Sequence, residues 1–195
     1  LPVAKLVIAT NENDILARTL RTGRYEMKGV TATTSPSMDI QISSNFERLL
    51  FEASGRDSAS VRAAMGQMRQ SGGFDLEETT LKAIKKEFSA GRASEKQVKA
   101  KIAEIAGQTG YVVDPHTAVA MHVAAKAEKA NAPMVALSTA HPAKFPEAVK
   151  SASGIDPALP PCLTDLMQRE ERFQVLPAAQ GKVEAHILAK ARAVR

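Results

Sequence analysis

Two short apolar runs, each followed by a polar turn and then an amphipathic stretch, stand out in the pattern of hydrophobic and polar positions. The first run is KLVIAT at 5–10, and the helical stripe after its turn ends at Gly23. The second is MVALS at 134–138, followed by a helical pattern from 143 to about 152. Apolar runs of this length without alternation are typical of buried strands in a parallel sheet. The pattern therefore predicts two strand–turn–helix units.

Most of the remaining chain shows helical periodicity. The predicted helices run from 44 to about 54, from 58 to 71, from Asp75 through Phe88, from Ser94 through Ile105, from Asp114 to about 131, and from Val183 through Val194. Asp14, Asp75 and Ser94 are predicted N-caps, and Asp75 with Glu78 has the spacing of a capping box. A loop or edge strand is predicted at 31–39, a linker at 156–161 and a short strand at 173–176.

This inventory holds about seven helices but only two well-defined core strands. Sheets commonly have ~4–6 strands, and a parallel pair needs cover on both faces. We therefore expect a partial α/β domain with a helical insertion, whose sheet is completed by another segment. The chain opens inside a predicted strand and without Met, so we expect it to be a piece of a longer protein.

Composition places the chain among globular proteins, with 44% apolar and 24% charged residues over 195 positions. The longest apolar runs are far below the ~20 residues that cross a bilayer, and the start has no signal-peptide pattern. The single cysteine, Cys162, suits a reducing compartment and predicts a cytoplasmic protein with an ordinary thiol. The four histidines and this cysteine lack ligand spacing, so no metal site is predicted.

The net charge of +5 raises the possibility of nucleic-acid binding. The 26 basic residues are interleaved with 21 acidic ones rather than gathered on one face, as a phosphate-tracking surface requires. Aromatic residues, which stack on single-stranded bases, make up 4% of the chain, and tryptophan is absent. These features predict a mildly basic, solvated surface and argue against nucleic acid as the main partner.

The polar turns after the two predicted strands are the first candidates for chemistry, because ligands of open α/β sheets bind at the carboxyl ends of strands. The following helix also points its positive N-terminus at the second turn. Structural roles alone would also explain the residues of this second turn. Thr139 would cap the helix, His141 would be a packed turn histidine, and Lys144 would be exposed. The candidate positions in the two turns are Thr10, Asn11, Asn13, Asp14, Thr139 and His141.

Two further segments carry polar side chains that suit either chemistry or local structure. The loop with Ser35 and Ser37 is rich in donors that could bind a phosphate or carboxylate, but a string of turns explains it equally well. Asp114 and His116 open a predicted helix, with Asp114 as its N-cap and Pro115 in its first turn. Since adjacent positions at a helix start splay apart, a catalytic Asp–His dyad is not indicated.

Four stretches together resemble the threonine synthase family in its longer, bacterial and yeast-like form. They occur in the family's order and at family-like separations: ATNEND at 9–14, SPSMDI at 35–40 continuing to NFER at 45–48, DPHTAV at 114–119, and TAHPAKF at 139–145. The resemblance implies a fold type II enzyme dependent on pyridoxal phosphate (PLP), tryptophan synthase β-like, of which this chain is the C-terminal portion. The family converts O-phospho-L-homoserine and water to L-threonine and phosphate, by γ-elimination and β-addition.

Within this resemblance, Thr139 matches the hydroxyl that contacts the pyridine nitrogen of PLP. Residues Thr10, Asn11, Asn13, Asp14, Ser35, Ser37 and His141 are implied to line the substrate site. The motif of the family's Schiff-base lysine and its glycine-rich phosphate loop do not appear in this sequence. The resemblance therefore implies that the polypeptide alone is inactive and free of PLP, and that its partner is the missing N-terminal half of the enzyme.

The resemblance also divides the chain into four parts. These are a strand–loop–helix part of the PLP-binding large domain at 1–43, a helical insertion at 44–112, a helix–strand–helix part of the large domain at 113–155, and a C-terminal helical extension at 156–195. Two alternatives remain: another fold type II enzyme, such as a serine or threonine dehydratase, and a non-catalytic helical module that binds a protein or nucleic acid. No membrane association is expected.

Overall fold

A computed structural model describes residues 3–127 and 131–192. The strands are β1 (Leu6–Thr10), β2 (Arg24–Glu26), β3 (Gly73–Asp75) and β4 (Phe88–Arg92). The helices are α1 (Ile15–Thr22), α2 (Phe46–Ala53), α3 (Ser58–Ser71), α4 (Glu78–Glu87), α5 (Glu95–Thr109), α6 (Pro115–Ala124), α7 (Pro146–Ser153) and α8 (Gln180–Lys190). The chain divides into two compact units between Ala158 and Leu159, and the second unit holds two short 3₁₀ turns and α8.

The strands form two separate two-stranded sheets. β1 and β4 pair in parallel, from Leu6 opposite Phe88 to Thr10 opposite Arg92, while β2 and β3 pair antiparallel. β1 was predicted as a strand of a parallel sheet, and this is confirmed. β4 was missed, because Phe88 was assigned to the apolar face of α4. The helix instead ends at Glu87, and Phe88 has an extended backbone conformation. The residues that follow include Ser89 and Gly91, which have low helix propensity.

The predicted strands at 134–138 and 173–176 are wrong. Neither segment forms a strand, and their large apolar side chains are solvent-exposed, for example Val135 at 74% and Val175 at 82%. A β-strand needs a ladder partner for its backbone groups. Among the described strands, β1 pairs with β4 and β2 pairs with β3, so neither segment takes part in a ladder.

Helix boundaries follow caps and prolines. Ser94 and Gln97 form a complete capping box at the start of α5, as the pattern predicted for Ser94. Asp14 sits at the N-cap position of α1 but makes no cap bond, because its carboxylate instead accepts from Arg18 Nε at 2.9 Å. The capping box predicted at Asp75 is wrong, since that residue belongs to β3.

Three predicted helices differ in their ends. The helix predicted from 143 begins as a 3₁₀ turn at Pro142–Lys144 and becomes α7 only at Pro146, because the residue before a proline is disfavoured in helical conformation. The helix predicted from Asp114 to about 131 ends at Ala124, and residues 128–130 lie outside the described part. The predicted Val183–Val194 helix is α8, with Val194 also outside the described residues.

Two apolar clusters form the core of the first unit. One packs α1, α2, α3 and α4 around Tyr25, whose ring stacks on Phe46 and Phe74 at centroid distances of 4.9 and 5.1 Å. The other packs α5 and α6 through Val98, Ile102 and neighbouring side chains. The second cluster anchors α6, whose N-terminus carries the polar residues described below.

The buried Tyr25 hydroxyl makes the free energy of unfolding depend on pH in the alkaline range. Burial raises the pKa of Tyr25 above its ordinary 10.0, partly offset by the N–H of Ser43, which donates to its oxygen at 2.8 Å. The unfolded chain loses this proton at a lower pH than the folded one. The contribution of Tyr25 to the free energy of unfolding is therefore complete below pH 10.0 and is lost as pH rises through the raised value.

Tyr25→Phe is expected to remove this alkaline loss, at a cost of about 1 kcal/mol near neutral pH for the missing hydrogen bond. Urea unfolding between neutral and alkaline pH measures it. Tyr111→Phe is the matched control, because Tyr111 is 63% exposed and its replacement should leave the pH profile of the wild type unchanged. A Tyr25→Phe profile parallel to that of the wild type would contradict the assignment.

Candidate functional site

A closed network of polar side chains lies directly after β1. Asn11 is fully buried, and its Nδ2 donates to Thr33 Oγ1 at 2.8 Å, to Ser35 Oγ at 3.0 Å and to Asp39 Oδ1 at 2.8 Å. Asn13 Nδ2 donates to the same Asp39 oxygen at 2.9 Å, and its own Oδ1 accepts from Thr31 N at 2.8 Å. The network fixes the loop of residues 31–39 against the carboxyl end of β1.

Asp39 is the centre of this network. Besides the two asparagine amides, its carboxylate accepts the hydroxyl of Thr33 at 2.7 Å and the backbone N–H of Thr33 at 2.9 Å. Asp39 and Thr33 were not among the predicted site residues. A carboxylate following a run of hydroxyl and amide donors was the available signal, because such donors need an acceptor when they are buried.

The structure brings together Asn11 and Asn13 of the first predicted turn and Ser35 of the predicted loop, while Thr10 and Asp14 have other partners. Thr10 Oγ1 donates to the carbonyl oxygen of Gly91 at 3.1 Å and so ties β1 to β4. Asp14 forms its ion pair with Arg18 on α1. These contacts hold the first turn rigidly in place.

A second network starts at the N-terminus of α6. Asp114 is fully buried and caps the helix by accepting from His116 N at 2.9 Å and Thr117 N at 3.4 Å. Its carboxylate also lies 2.9 Å from His116 Nδ1. The cap was predicted correctly, but the expectation that the two side chains splay apart is wrong, because the histidine ring folds back over the cap.

The ring of His116 reaches the loop of the first network. Its Nε2 accepts from the backbone N–H of Ser37 at 3.2 Å, and the ring packs on Phe145 at a centroid distance of 4.8 Å. With Nε2 as the acceptor, the remaining proton of a neutral imidazole lies on Nδ1 and points at Asp114. His116 therefore links α6 to the Ser37 loop.

Thr139 and His141 lie at an open concavity of the first unit. Its lining consists of Tyr111, Val112, Ser138, Thr139, Ala140, His141 and Pro142. Thr139 and His141 are exposed, and His141 Nδ1 accepts from Ala143 N at 3.2 Å. Ser138 Oγ lies 3.2 Å from Thr117 Oγ1, which joins this turn to Asp114. Among the described residues, the lining of the concavity thus carries hydroxyl groups and an imidazole but no carboxylate.

Within residues 3–127 and 131–192, no cluster of three or more His, Cys, Asp or Glu side chains could hold a metal ion. Across the same residues, no helix combines the length and hydropathy that spanning a membrane requires.

Comparison with known proteins shows that this chain is similar to threonine synthases. A family model described as the C-terminal part of threonine synthase matches residues 117–187. Threonine synthase from Pseudomonas aeruginosa is 43% identical over 189 residues, covering 96% of this chain and 40% of that protein, and the Methylobacillus glycogenes protein of the same name is 38% identical over 193 residues, covering 96% of this chain and 41% of that protein.

Solved structures agree with this assignment. The PLP-bound threonine synthase from Brucella melitensis superposes with a TM-score of 0.90 at 56% identity, over 98% of this chain and 41% of that one. The yeast threonine synthase gives 0.79 at 33% identity, over 100% of this chain and 43% of the yeast chain. The fold is therefore that of a partial fold type II domain. The chain is similar to threonine synthases over almost its whole length, matches their C-terminal part, and spans about two fifths of the length of the relatives it matches.

Proposed function

We propose that this chain forms part of an enzyme that converts O-phospho-L-homoserine and water to L-threonine and phosphate. The observation that carries the proposal is the Thr139 hydroxyl, exposed at a concavity of the first unit and standing in the TAHPAKF motif. The other part of the enzyme is proposed to be the rest of the family-length protein, which would supply the lysine that binds the cofactor. We also propose a cytoplasmic location.

The residues at the concavity fit PLP. When bound, PLP supplies an electron sink for the carbanion chemistry of an amino-acid substrate. A pyridine nitrogen without a proton needs a neutral donor, and the described residues of the lining offer hydroxyl groups and no carboxylate. Thr139 would donate its hydroxyl proton to that nitrogen. A neutral partner of this kind does not hold a proton on the ring as a carboxylate would.

The other predicted substrate-site residues divide by accessibility. Ser37 and His141 are exposed and remain candidates for substrate contact. Asn11 and Ser35 are fully buried, and both asparagine amides of the first turn donate to groups of the protein. We propose that these buried residues, together with Thr10 and Asp14, act by holding the site wall in shape.

A substrate panel tests the proposal. The family-length protein that contains this chain is supplied with PLP and assayed for phosphate release and L-threonine formation from O-phospho-L-homoserine, with L-homoserine, L-serine and L-threonine as alternatives. Turnover of the phosphorylated substrate alone is expected. Deamination of L-serine or L-threonine without use of O-phospho-L-homoserine would favour a dehydratase, an alternative that the relatives named above do not favour.

Thr139→Val in the same protein is expected to lower kcat by at least about tenfold, since it removes one hydrogen bond to the cofactor ring. PLP should remain bound, because its main anchors are proposed to lie elsewhere. Thr139→Ser, which keeps the hydroxyl, is the control and should retain most of the activity. Unchanged kinetics in the valine variant would remove Thr139 from the site.

A further inference from the structure

A single hydrogen bond joins the turn that carries Thr139 to sequence-distant residues of the described chain. Across residues 3–127 and 131–192, the contact between Thr117 Oγ1 and Ser138 Oγ, at 3.2 Å, is the one hydrogen bond that joins residues 134–141 to a sequence-distant residue. The apolar side chains before the turn are exposed, including Val135 and Leu137. Among the described residues, packing therefore contributes little to fixing this segment, and the hydrogen bond between Thr117 and Ser138 is its main attachment.

The direction of this hydrogen bond follows from Asp114. Its carboxylate receives the hydroxyl of Thr117 together with two backbone N–H groups and the ring of His116. A carboxylate in such a position accepts only, so the single hydroxyl proton of Thr117 belongs to Asp114. Thr117 Oγ1 is then the acceptor toward Ser138, and Ser138 donates. The remaining lone pairs of Ser138 are left for the concavity.

The same carboxylate also fixes the facing loop. Through the Nδ1 proton of His116 it sets the tautomer in which Nε2 accepts from Ser37 N. Asp114 itself is fully buried, and His116 and Thr117 are each 4% exposed. One buried carboxylate therefore governs the hydrogen-bond directions of two segments that carry predicted site residues, Ser37 and Thr139.

We propose that Thr117, oriented by Asp114, is a positioning residue for the Ser138–Thr139 turn and thereby for the hydroxyl that meets the cofactor ring. This inference rests on the proposed function, in which Thr139 makes that contact. Thr117 touches neither cofactor nor substrate. It acts by holding Ser138, the residue that directly precedes Thr139 in the chain.

The test compares Thr117→Val and Thr117→Ser in the family-length enzyme loaded with PLP. Valine keeps the shape of threonine but cannot bond Ser138, so kcat is expected to fall on the order of tenfold, the effect of slightly misplacing a reacting group, while KM stays within about twofold. The absorbance and fluorescence of bound PLP should shift, and serine should restore both. Wild-type kcat together with a wild-type PLP spectrum in Thr117→Val would overturn the proposal.

Thr19→Val is the matched control for general damage. Thr19 is a fully buried helical threonine whose hydroxyl donates to Ile15 O at 2.7 Å, on α1 and in the first core cluster. Its replacement should lower the melting temperature and leave kcat and the PLP spectrum unchanged. Equal effects of Thr19→Val and Thr117→Val on kcat and the PLP spectrum would reduce Thr117 to a structural role and contradict the inference.

A readout without substrate separates this inference from the proposed function. Amide hydrogen exchange in residues 134–141 is expected to be faster in Thr117→Val than in wild type and in Thr117→Ser. If the wild-type enzyme fails to release phosphate, the proposed function fails, and faster exchange still supports Thr117 as the residue that holds the turn. Exchange equal to that of the wild type would overturn the inference even in an active enzyme.

Discussion

Asp39→Ala is expected to lower the free energy of unfolding by about 3 kcal/mol, because the change leaves buried donors without their acceptor. Four hydrogen bonds end on this carboxylate, two from the asparagine amides and two from Thr33. Asn11 and Asn13 keep other acceptors, which limits the loss. Urea unfolding followed by circular dichroism measures the change as a shift of the midpoint.

Two control variants distinguish the effect of losing the hydrogen-bond network from the effect of losing one negative charge. Asp39→Asn keeps the shape and one acceptor oxygen, and should cost less than the alanine variant. Asp57→Ala removes an exposed helix cap, whose side chain accepts from Ala59 N at 2.8 Å, and should cost about 1 kcal/mol. An Asp39→Ala loss no larger than that of Asp57→Ala would show that the network does not hold the loop.

Gly91→Ala is expected to destabilise the protein by about 2–3 kcal/mol through overpacking between β4 and α6. A Cβ at this position would lie 2.6 Å from Cγ1 of Val123 and 3.3 Å from its Cγ2. Val123 is buried, so its side chain has little room to move away. The same substitution should also disturb the pairing of β1 with β4.

A double variant tests whether the loss of stability comes from overpacking against Val123. In the background of Val123→Ala, adding Gly91→Ala should cost much less than it does alone, so the two changes are expected to be non-additive. Gly107→Ala is the control, and its expected effect on the free energy of unfolding has the opposite sign. A Cβ there meets open space on α5, and alanine should stabilise the helix by about 0.5–1 kcal/mol. Additive losses at 91 and 123 would contradict the explanation.

Elements with local signals were predictable from the sequence. The helix α3 was predicted with its observed ends, and it stops at Gly72, which adopts the left-handed conformation that glycine tolerates. Ser94 was predicted as the cap of α5, and the structure shows its full capping box with Gln97. Such signals lie within a few residues of the element they define, so a single sequence contains them.

The pairing of strands with distant partners was not predictable. The run at 134–138 has the composition of a buried strand, yet it forms no ladder among the described residues. The stretch at 88–92 has weaker strand composition, yet it pairs with β1 across its full length. Hydrophobic composition predicts which segments can be buried, whereas the pairing depends on which edges the fold presents.

The roles of the candidate site residues stay predictions. The structure shows only that Thr139 and His141 lie at an open concavity of the first unit. The hydrogen bonds of Asp39 were missed, because its asparagine partners are distant in sequence. For Asp114 the cap was predicted, but not its side-chain contacts with His116 and Thr117. Asp114, His116 and Thr117 are neighbours in sequence, but their contacts with Ser37 and Ser138 span the fold.

The parallel pairing of Leu6 with Phe88 has a consequence for the order of folding. Closing a long loop costs chain entropy before any contact rewards it, and contacts between distant residues slow the search for the native state. The helices between the two strands are formed by short-range contacts, so they are expected to assemble first and draw the strands together. The edge that presents Asn11 would then be among the last parts of this unit to consolidate.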